Sequence, residues 1–167
     1  IKFRSHPLAM GIAQVQFRKL DALNARRKNW VESIEAGLAD IPGLKPLGRY
    51  EGTERGGFYN FPVLYDAAEI LGSTLDTLVE VMNELGVPVG TRGYGNLHEL
   101  PYFAEGFDIY GGHRGPMIEG YGGYEMGDFP GAEELVEKLI FLPVLSDPVD
   151  GAVEEVLRRI QTAVESF

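Results

Sequence analysis

The sequence of 167 residues contains no cysteine, which excludes disulfide bonds and thiolate metal sites. Its longest apolar runs are a few residues, so we expect neither a membrane-spanning segment nor a signal peptide. Basic residues are outnumbered, with a formal net charge of −10, and this balance argues against a nucleic-acid partner because it repels phosphate. The lack of cysteine fits a reducing compartment, and we expect a cytoplasmic protein.

The common catalytic motifs are also missing. There is no Gly-x-Ser-x-Gly elbow, no phosphate-binding P-loop and no Gly-x-Gly-x-x-Gly that opens a helix. The three histidines lie far apart without the spacing of metal ligands, so the sequence predicts no metal site: His6, His98 and His113. Acidic pairs such as Glu133/Glu134 and Glu154/Glu155 are predicted to lie on helix surfaces, where they favour the first turn.

Lysine is scarce, and its positions are informative. The five lysines are Lys2, Lys19, Lys28, Lys45 and Lys138. Three of them fall on predicted helices and Lys45 on a turn, and none lies in a setting that would desolvate it into a Schiff-base nucleophile. From its residues alone, the chain is predicted to hold no catalytic group.

The longest predicted element is a single helix within residues 1–38. After Pro7 no proline occurs until Pro42, and apolar residues recur at three- and four-residue steps between them. Ser5 is the predicted N-cap, and Pro7 suits the first helical turn. A helix of this length usually crosses from one layer or domain to another.

The remaining segments indicate an α+β fold. Residues 58–65 and 87–91 are predicted strands, and Pro62 argues for an edge or bulged position in the first. Ser73 and Asp76 are predicted to form a start like a capping box for one helix, a second spans residues 131–140, and Asp147 is the predicted cap of a last helix. Residues 141–144 form another predicted strand. The order favours a small, mostly antiparallel sheet flanked by helices.

A long glycine-rich segment interrupts this order of helices and strands. Residues 90–127 hold about half of the 22 glycines, interleaved with tyrosine and phenylalanine, and show neither helical nor strand periodicity. A loop of this length in a small domain is usually functional or mobile.

The amino-terminal segment resembles a known family. Lys2-Phe3-Arg4-Ser5-His6-Pro7-Leu8-Ala9, followed by Lys19-Leu20-Asp21 and Arg26-Arg27, is similar to the segment that joins the large and small domains of DegT/StrS-type sugar aminotransferases. These are fold-type-I enzymes that use pyridoxal phosphate. Residues 78–89, 96–102 and 129–143 resemble later family segments in the same order.

The resemblance implies a C-terminal small domain. Residues 1–38 would be the long interdomain helix and residues 39–167 the small α+β domain. The catalytic large domain, with its Schiff-base lysine, would lie outside this chain, which starts at Ile1 and is interpreted as a fragment. The full enzyme would be a homodimer that moves an amino group from glutamate or glutamine to a keto-sugar or keto-cyclitol, and the fragment alone is expected to be inactive.

The resemblance also implies site residues. Lys2 stands where the family usually has asparagine near the cofactor phosphate, across the dimer interface, and an ammonium group there is physically sensible. Arg4, Arg92, Tyr94 and His98 match positions on the substrate side. Residues 104–128 cannot be aligned with the family, and we expect this tract to shape the sugar or cyclitol pocket.

Two alternatives stay open. The chain could be a stand-alone small-molecule-binding or dimerisation module without catalysis, since the absent catalytic groups favour both interpretations equally. Within the family, it could belong to a homologue that has lost transamination and acts as a regulator or a dehydratase.

Overall fold

A computed structural model describes residues 5–91, 93, 95–112 and 118–167 of the chain. Its helices in this part are α1 (Pro7–Phe17), α2 (Leu20–Leu38), α3 (Leu75–Glu84), α4 (Pro101–Ala104), α5 (Pro130–Val136) and α6 (Ala152–Val164). Its strands are β1 (Leu44–Pro46), β2 (Phe61–Tyr65), β3 (Gly90–Thr91) and β4 (Leu139–Leu142). The predicted α+β class is confirmed.

The four described strands form one sheet in the order β1-β2-β4-β3, and every neighbouring pair is antiparallel. Alternate residues of β2 are buried, so Phe61, Val63 and Tyr65 face the core. Contacts of α2 with β1 and α6, and of α3 with β3 and α6, build the helical layer. The fold is therefore a sheet with a helical layer, as the sequence predicts.

The core lies between that helical layer and the sheet. Its largest fully buried side chains are Val31, Ile34, Leu38, Leu44, Phe61, Val63, Leu78, Met82, Val87, Ile140 and Ile160. The Trp30 indole N–H donates a hydrogen bond of 2.8 Å to the carbonyl of Pro143, which links α2 to the segment after β4. A full core is thus built from the described residues after residue 29.

The single long helix is not confirmed, because the structure divides it into α1 and α2 at Arg18 and Lys19. The Lys19 N–H bonds to the carbonyl of Gln16 at 3.0 Å, the i−3 spacing of a tight turn. Both residues keep right-handed helical dihedrals, so the interruption is a local tightening of the backbone.

Three predicted caps differ from the structure. His6, not Ser5, caps α1, with Pro7 at the first helical position as expected. A reciprocal capping box of Thr74 and Thr77 starts α3, one residue after the predicted Ser73. The last helix begins after Gly151, whose φ of 80° requires a glycine-like conformation, whereas Asp147 forms an ion pair of 3.4 Å with Arg26.

Strand details also differ. Lys45 was predicted on a turn, whereas the structure places it in β1. Pro62 was expected at an edge or a bulge, but β2 lies inside the sheet and pairs with β4 residue by residue. Since β1 pairs only with Val63 to Tyr65, one side of Pro62 has no strand beside it, and the missing N–H costs no ladder bond. The predicted strand segments 58–65, 87–91 and 141–144 and the predicted helix 131–140 are realised as β2, β3, β4 and α5 with changed bounds.

Candidate ligand-binding cleft

His98 is the buried polar side chain around which the candidate site is built. It lies in a single 3-10 turn, Leu97–Glu99, that follows β3, and its exposed fraction is 7%. Its Nε2 atom is 2.8 Å from Oε1 of Glu133. A histidine this deeply buried needs such a polar partner, because an unpaired polar group inside a protein is costly.

Glu133 lies in the first turn of α5. Besides His98, its Oε1 atom accepts a hydrogen bond of 2.8 Å from the backbone N–H of Gly127. The Gly127 N–H lowers the pKa of the Glu133 carboxyl below its ordinary value, and the His98 side chain lowers this pKa further. One carboxylate oxygen therefore joins the 3-10 turn, α5 and the end of the glycine- and tyrosine-rich tract.

Aromatic rings surround this pair. The Phe129 ring centroid is 5.0 Å from that of His98 and 5.4 Å from that of Tyr124, distances typical of favourable ring contacts. The Tyr121 hydroxyl donates a hydrogen bond of 2.7 Å to the carbonyl of Phe103, which fastens the tract to α4. Tyr121 and Tyr124 thus connect the tract to Phe103 and Phe129.

The cleft has a volume of about 440 Å³. It is lined by Gly95, Asn96, Leu97, His98, Phe103, Tyr124, Phe129, Ala132, Leu135 and Val136. Most of these side chains are apolar, and Asn96 and His98 are the exceptions. An apolar hollow with a few polar groups is the usual form of a small-molecule site.

A second hollow of about 430 Å³ adjoins the cleft and shares Gly95, Asn96 and Val136 with it. Its other lining residues include the four carboxylates of Glu99, Glu133, Glu134 and Glu137. We call it the acidic hollow. His98 lines the cleft and Glu133 lines the acidic hollow, so their hydrogen bond crosses the wall between the two.

Of the substrate-side residues that the sequence predicted, the structure describes His98 and places it in the cleft. Lys2, Arg4, Arg92 and Tyr94 lie outside the described residues. The tract at residues 104–128 contributes Tyr124 to the cleft wall, and its residues 113–117 are outside the described part.

A Schiff-base role requires a lysine with a neutral amine, and both Lys45 and Lys138 lie in ion pairs. Lys45 pairs with Glu69 at 2.6 Å and with Asp66 at 3.3 Å, and these hydrogen bonds, Glu69 first, raise its pKa. Lys138 pairs with Glu134 at 2.6 Å, which raises its pKa too. A raised pKa keeps an amine protonated and non-nucleophilic, so neither Lys45 nor Lys138 fits a Schiff-base role.

The described part of the chain contains no group of three or more histidine, aspartate or glutamate side chains arranged to hold a metal ion. None of its helices combines the length and apolar character needed to cross a membrane.

Glu133 is the site residue that sequence reasoning missed. It was interpreted as a helix-surface charge, yet its carboxylate reaches a histidine 35 residues earlier in the chain. The spacing of residues along the sequence does not indicate which distant side chains will form such a pair. The position of Glu133 in the first turn of α5 was anticipated, but its partners depend on how the tract folds back.

Comparison with known proteins now identifies the family. Residues 2–111 match the profile of the DegT/DnrJ/EryC1/StrS aminotransferase family. The chain belongs to this family, as its amino-terminal residues had indicated.

Several solved structures have a fold similar to that of this chain. The aminotransferase TlmJ from Streptoalloteichus hindustanus is 25% identical, with a TM-score of 0.71 over 97% of this chain and 37% of TlmJ. DesV from S. venezuelae, solved in complex with a ketimine intermediate, is 18% identical, with a TM-score of 0.68 over 92% of this chain and 35% of DesV. GDP-4-keto-6-deoxy-D-mannose-3-dehydratase from E. coli, with bound hydrated pyridoxal phosphate, is 17% identical, with a TM-score of 0.65 over 89% of this chain and 33% of the dehydratase.

The last two similarities establish the fold alone. The chain spans little more than a third of the length of the structures that it matches, 37% for TlmJ.

Proposed function

We propose that this chain forms the C-terminal small domain of a pyridoxal phosphate-dependent aminotransferase. The complete enzyme would move an amino group from glutamate or glutamine to a keto-sugar or keto-cyclitol. The observation that carries the proposal is the family match over residues 2–111, together with the similarity to TlmJ over nearly the whole chain. When bound, the cofactor would supply the carbanion-stabilising chemistry.

In this proposal the chain binds and orients the substrate but does not supply the Schiff-base lysine. The cleft beside His98 would be a substrate-side wall, because it combines apolar ring surface with a buried polar pair. Arg4, Arg92 and Tyr94 would add substrate contacts, and Lys2 would pair with the cofactor phosphate across a homodimer interface. These four roles are carried over from the family pattern.

Helix α1 supports an interdomain role for residues 1–38. It has no charged residue and none of its residues is buried in this chain. A helix that is apolar on several sides normally packs inside a larger protein. Since the similar structures are nearly three times as long, we propose that α1 packs against the portion of the enzyme that they have in addition, with residues 39–167 as the small domain.

The proposal is tested with two proteins, the 167-residue chain and a version extended at its amino terminus by the remaining reading frame. After incubation with pyridoxal phosphate, the extended protein should be yellow and should transaminate a keto-sugar or keto-cyclitol with glutamate or glutamine as donor. The isolated chain should stay colourless and inactive. A yellow, active 167-residue chain would refute the proposal that the Schiff-base lysine lies outside this chain.

A second candidate is a binding module without catalysis. The observation that favours it is that described residues of this chain form a cleft of about 440 Å³. An extended protein that binds no cofactor, or a reading frame that starts just before Ile1, would support this module. An extended protein that binds the cofactor but removes a hydroxyl group instead of adding an amine would indicate a dehydratase.

A further inference from the structure

Arg27 lies on the face of α2 that builds the core further along the helix. It precedes Trp30 by three residues and Val31 by four, and both of those side chains are buried. The Arg27 side chain is half-buried, and its Nη1 atom donates a hydrogen bond of 3.3 Å to the Oδ1 atom of Asn24. Its positive charge is therefore held at the end of the buried stripe, next to the body of the domain.

The pairing of its charge distinguishes Arg27 from two other half-buried arginines, Arg55 and Arg159. Arg55 contacts Glu35, and the Nε atom of Arg159 lies 2.6 Å from the Oε1 atom of Glu155. Within the described residues Arg27 forms no ion pair with a carboxylate, although the chain has 25 acidic residues and all of them are described. Since a charge removed from water needs an opposite charge or polar groups beside it, this position favours an anion.

A recess of about 210 Å³ adjoins this arginine, and we call it the Arg27 recess. It is lined by Arg27, Gly57, Phe58, Tyr59 and Val144. The lining combines one positive group with aromatic and aliphatic side chains, and none of these five described residues carries a carboxylate. The volume is below the range of drug-sized ligand sites, so the recess admits a compact molecule.

Hydrogen bonds hold two walls of the Arg27 recess in place. The Nη2 atom of Arg55 donates a hydrogen bond of 3.1 Å to the carbonyl of Leu47, which ties together the loop that leads to the recess. On the other side, Pro143 accepts the hydrogen bond from Trp30 and directly precedes the aliphatic residue of the lining. Phe58 has a φ of 49°, uncommon for a residue other than glycine, and packs against the core. A backbone conformation of this kind persists only when its surroundings fix it, so this wall is preformed.

The donors at the Arg27 recess suit a carboxylate. A guanidinium group presents its N–H donors in a planar fork that matches the two oxygens of a carboxylate. Within the described part of the chain, the backbone N–H groups of Gly57 and Phe58 donate to no protein acceptor, so they add donors to those of Arg27. A phosphate dianion fits less well, because the described lining offers it one cation in a chain whose formal net charge is −10.

We propose that the Arg27 recess binds a small molecule that carries one carboxylate on an apolar body, and that Arg27 pairs with this carboxylate. Phe58 and Val144 would pack against the apolar body. The inference does not rest on the proposed function, which assigns none of the five lining residues a contact with substrate or cofactor.

The test uses the 167-residue chain and three probes at constant ionic strength: benzoate, neutral benzamide and inorganic phosphate. Backbone amide and arginine side-chain signals are recorded by ¹H–¹⁵N correlation, and the Arg27 signal is assigned by its loss in Arg27→Gln. Benzoate should shift the Arg27 signal and the amide signals of Gly57 and Phe58 in a saturable way. It should bind about tenfold more tightly than benzamide, which lacks the charge, and more tightly than phosphate.

Matched variants on α2 separate Arg27 from general positive charge. Arg27→Gln should weaken benzoate binding about tenfold. Arg26→Gln removes the neighbouring charge, which is exposed and pairs with Asp147, so we expect less than about a twofold change. If Arg27→Gln fails to fold, Arg27→Lys replaces it: this variant keeps the charge but loses the planar fork, and it should still weaken benzoate binding about threefold.

Equal affinity for benzoate and benzamide, tighter binding of phosphate, or unchanged benzoate binding in the Arg27 variants would overturn the inference. So would benzoate binding that is present in the 167-residue chain but absent from the extended protein, because an acidic side chain of the added portion would then fill the recess. Transamination is a separate readout: an inactive extended protein that binds benzoate at Arg27 would refute the proposed function and support the inference.

Discussion

Two consecutive helices place their apolar residues in opposite environments. In α2, Trp30, Val31, Ile34 and Leu38 are buried against the sheet and α6. In α1, every apolar residue is accessible, and Phe17 is 76% exposed. Both helices show the spacing that predicted one helical face. The difference teaches that apolar periodicity identifies a helix but not the protein segment that covers it.

The different burial of α1 and α2 implies different contributions of the two helices to the free energy of folding. Burial of a large aliphatic or aromatic side chain contributes about 1.5–3 kcal/mol to folding, and α2 obtains this from the described core. For α1 the same contribution must come from contacts outside the described residues. If α1 docks elsewhere in a complete enzyme, the stability of residues 20–167 should hardly depend on α1.

The largest effect is expected from Ile34→Ala. Ile34 is 1% exposed and packs in the core, so its truncation removes buried area and leaves a cavity. The free energy of unfolding should fall by about 2–5 kcal/mol, measured by urea denaturation followed by circular dichroism. The matched control is Ile12→Ala on α1, which is 64% exposed and should change the unfolding free energy by less than about 0.5 kcal/mol. Equal losses in the two variants would contradict the comparison.

A smaller loss is expected from Trp30→Phe. Trp30 is 2% exposed, and its indole N–H donates the hydrogen bond of 2.8 Å to Pro143. Phenylalanine keeps most of the apolar contact but leaves that carbonyl without its donor. The free energy of unfolding should fall by about 1–3 kcal/mol, and circular dichroism is the required probe because this is the sole tryptophan. An unchanged unfolding midpoint would show that water replaces the indole at Pro143.

The comparison of helices also shows how far sequence reasoning reaches. The fold class and the buried stripe of α2 follow from local periodicity, and the structure agrees. The ends of the helices were less predictable. Thr74 and Thr77 form the capping box of α3 that was expected from Ser73 and Asp76. Neighbouring hydroxyl and carboxyl side chains compete for the same backbone N–H groups, and local sequence does not show which of them binds.

The candidate site was predictable only in part. The family pattern pointed to His98, and the structure places it in a cleft. Its partner Glu133 was interpreted as a surface charge, because a first-turn glutamate has an adequate local explanation. The contacts of Glu133 depend on how the tract folds, because the backbone N–H of Gly127 lies 2.8 Å from the Oε1 atom of Glu133. No local sequence pattern predicts this contact.

Glu133→Gln is expected to change the pH dependence of stability in the acid range. In the folded chain the Gly127 N–H and then His98 lower the pKa of Glu133 from its ordinary value of 4.5. A carboxyl whose pKa is lower in the folded state stabilises it above pH 4.5, and this contribution is lost as the pH falls through the folded pKa. Glu133→Gln should therefore flatten the dependence of unfolding free energy on pH below 4.5, measured by urea denaturation at stepped pH.

The control for this profile is Glu154→Gln, at an exposed carboxylate on α6. It should leave the acid slope nearly as in the wild type. An identical slope in wild type and Glu133→Gln would mean that the hydrogen bonds from Gly127 and His98 do not persist in solution.

The smallest effect on this chain is expected from Phe17→Ser. Phe17 is the last residue of α1 and is 76% exposed, so a serine there removes no contact with the core. The unfolding free energy of the 167-residue chain should change by less than about 0.5 kcal/mol, whereas a version extended by the rest of the reading frame should lose about 1–3 kcal/mol. Sedimentation of both chains provides the control, because a self-associating 167-residue chain would bury Phe17 in a second copy and lose stability in a concentration-dependent way. Equal insensitivity of both proteins would show that α1 is not the surface on which the complete enzyme packs.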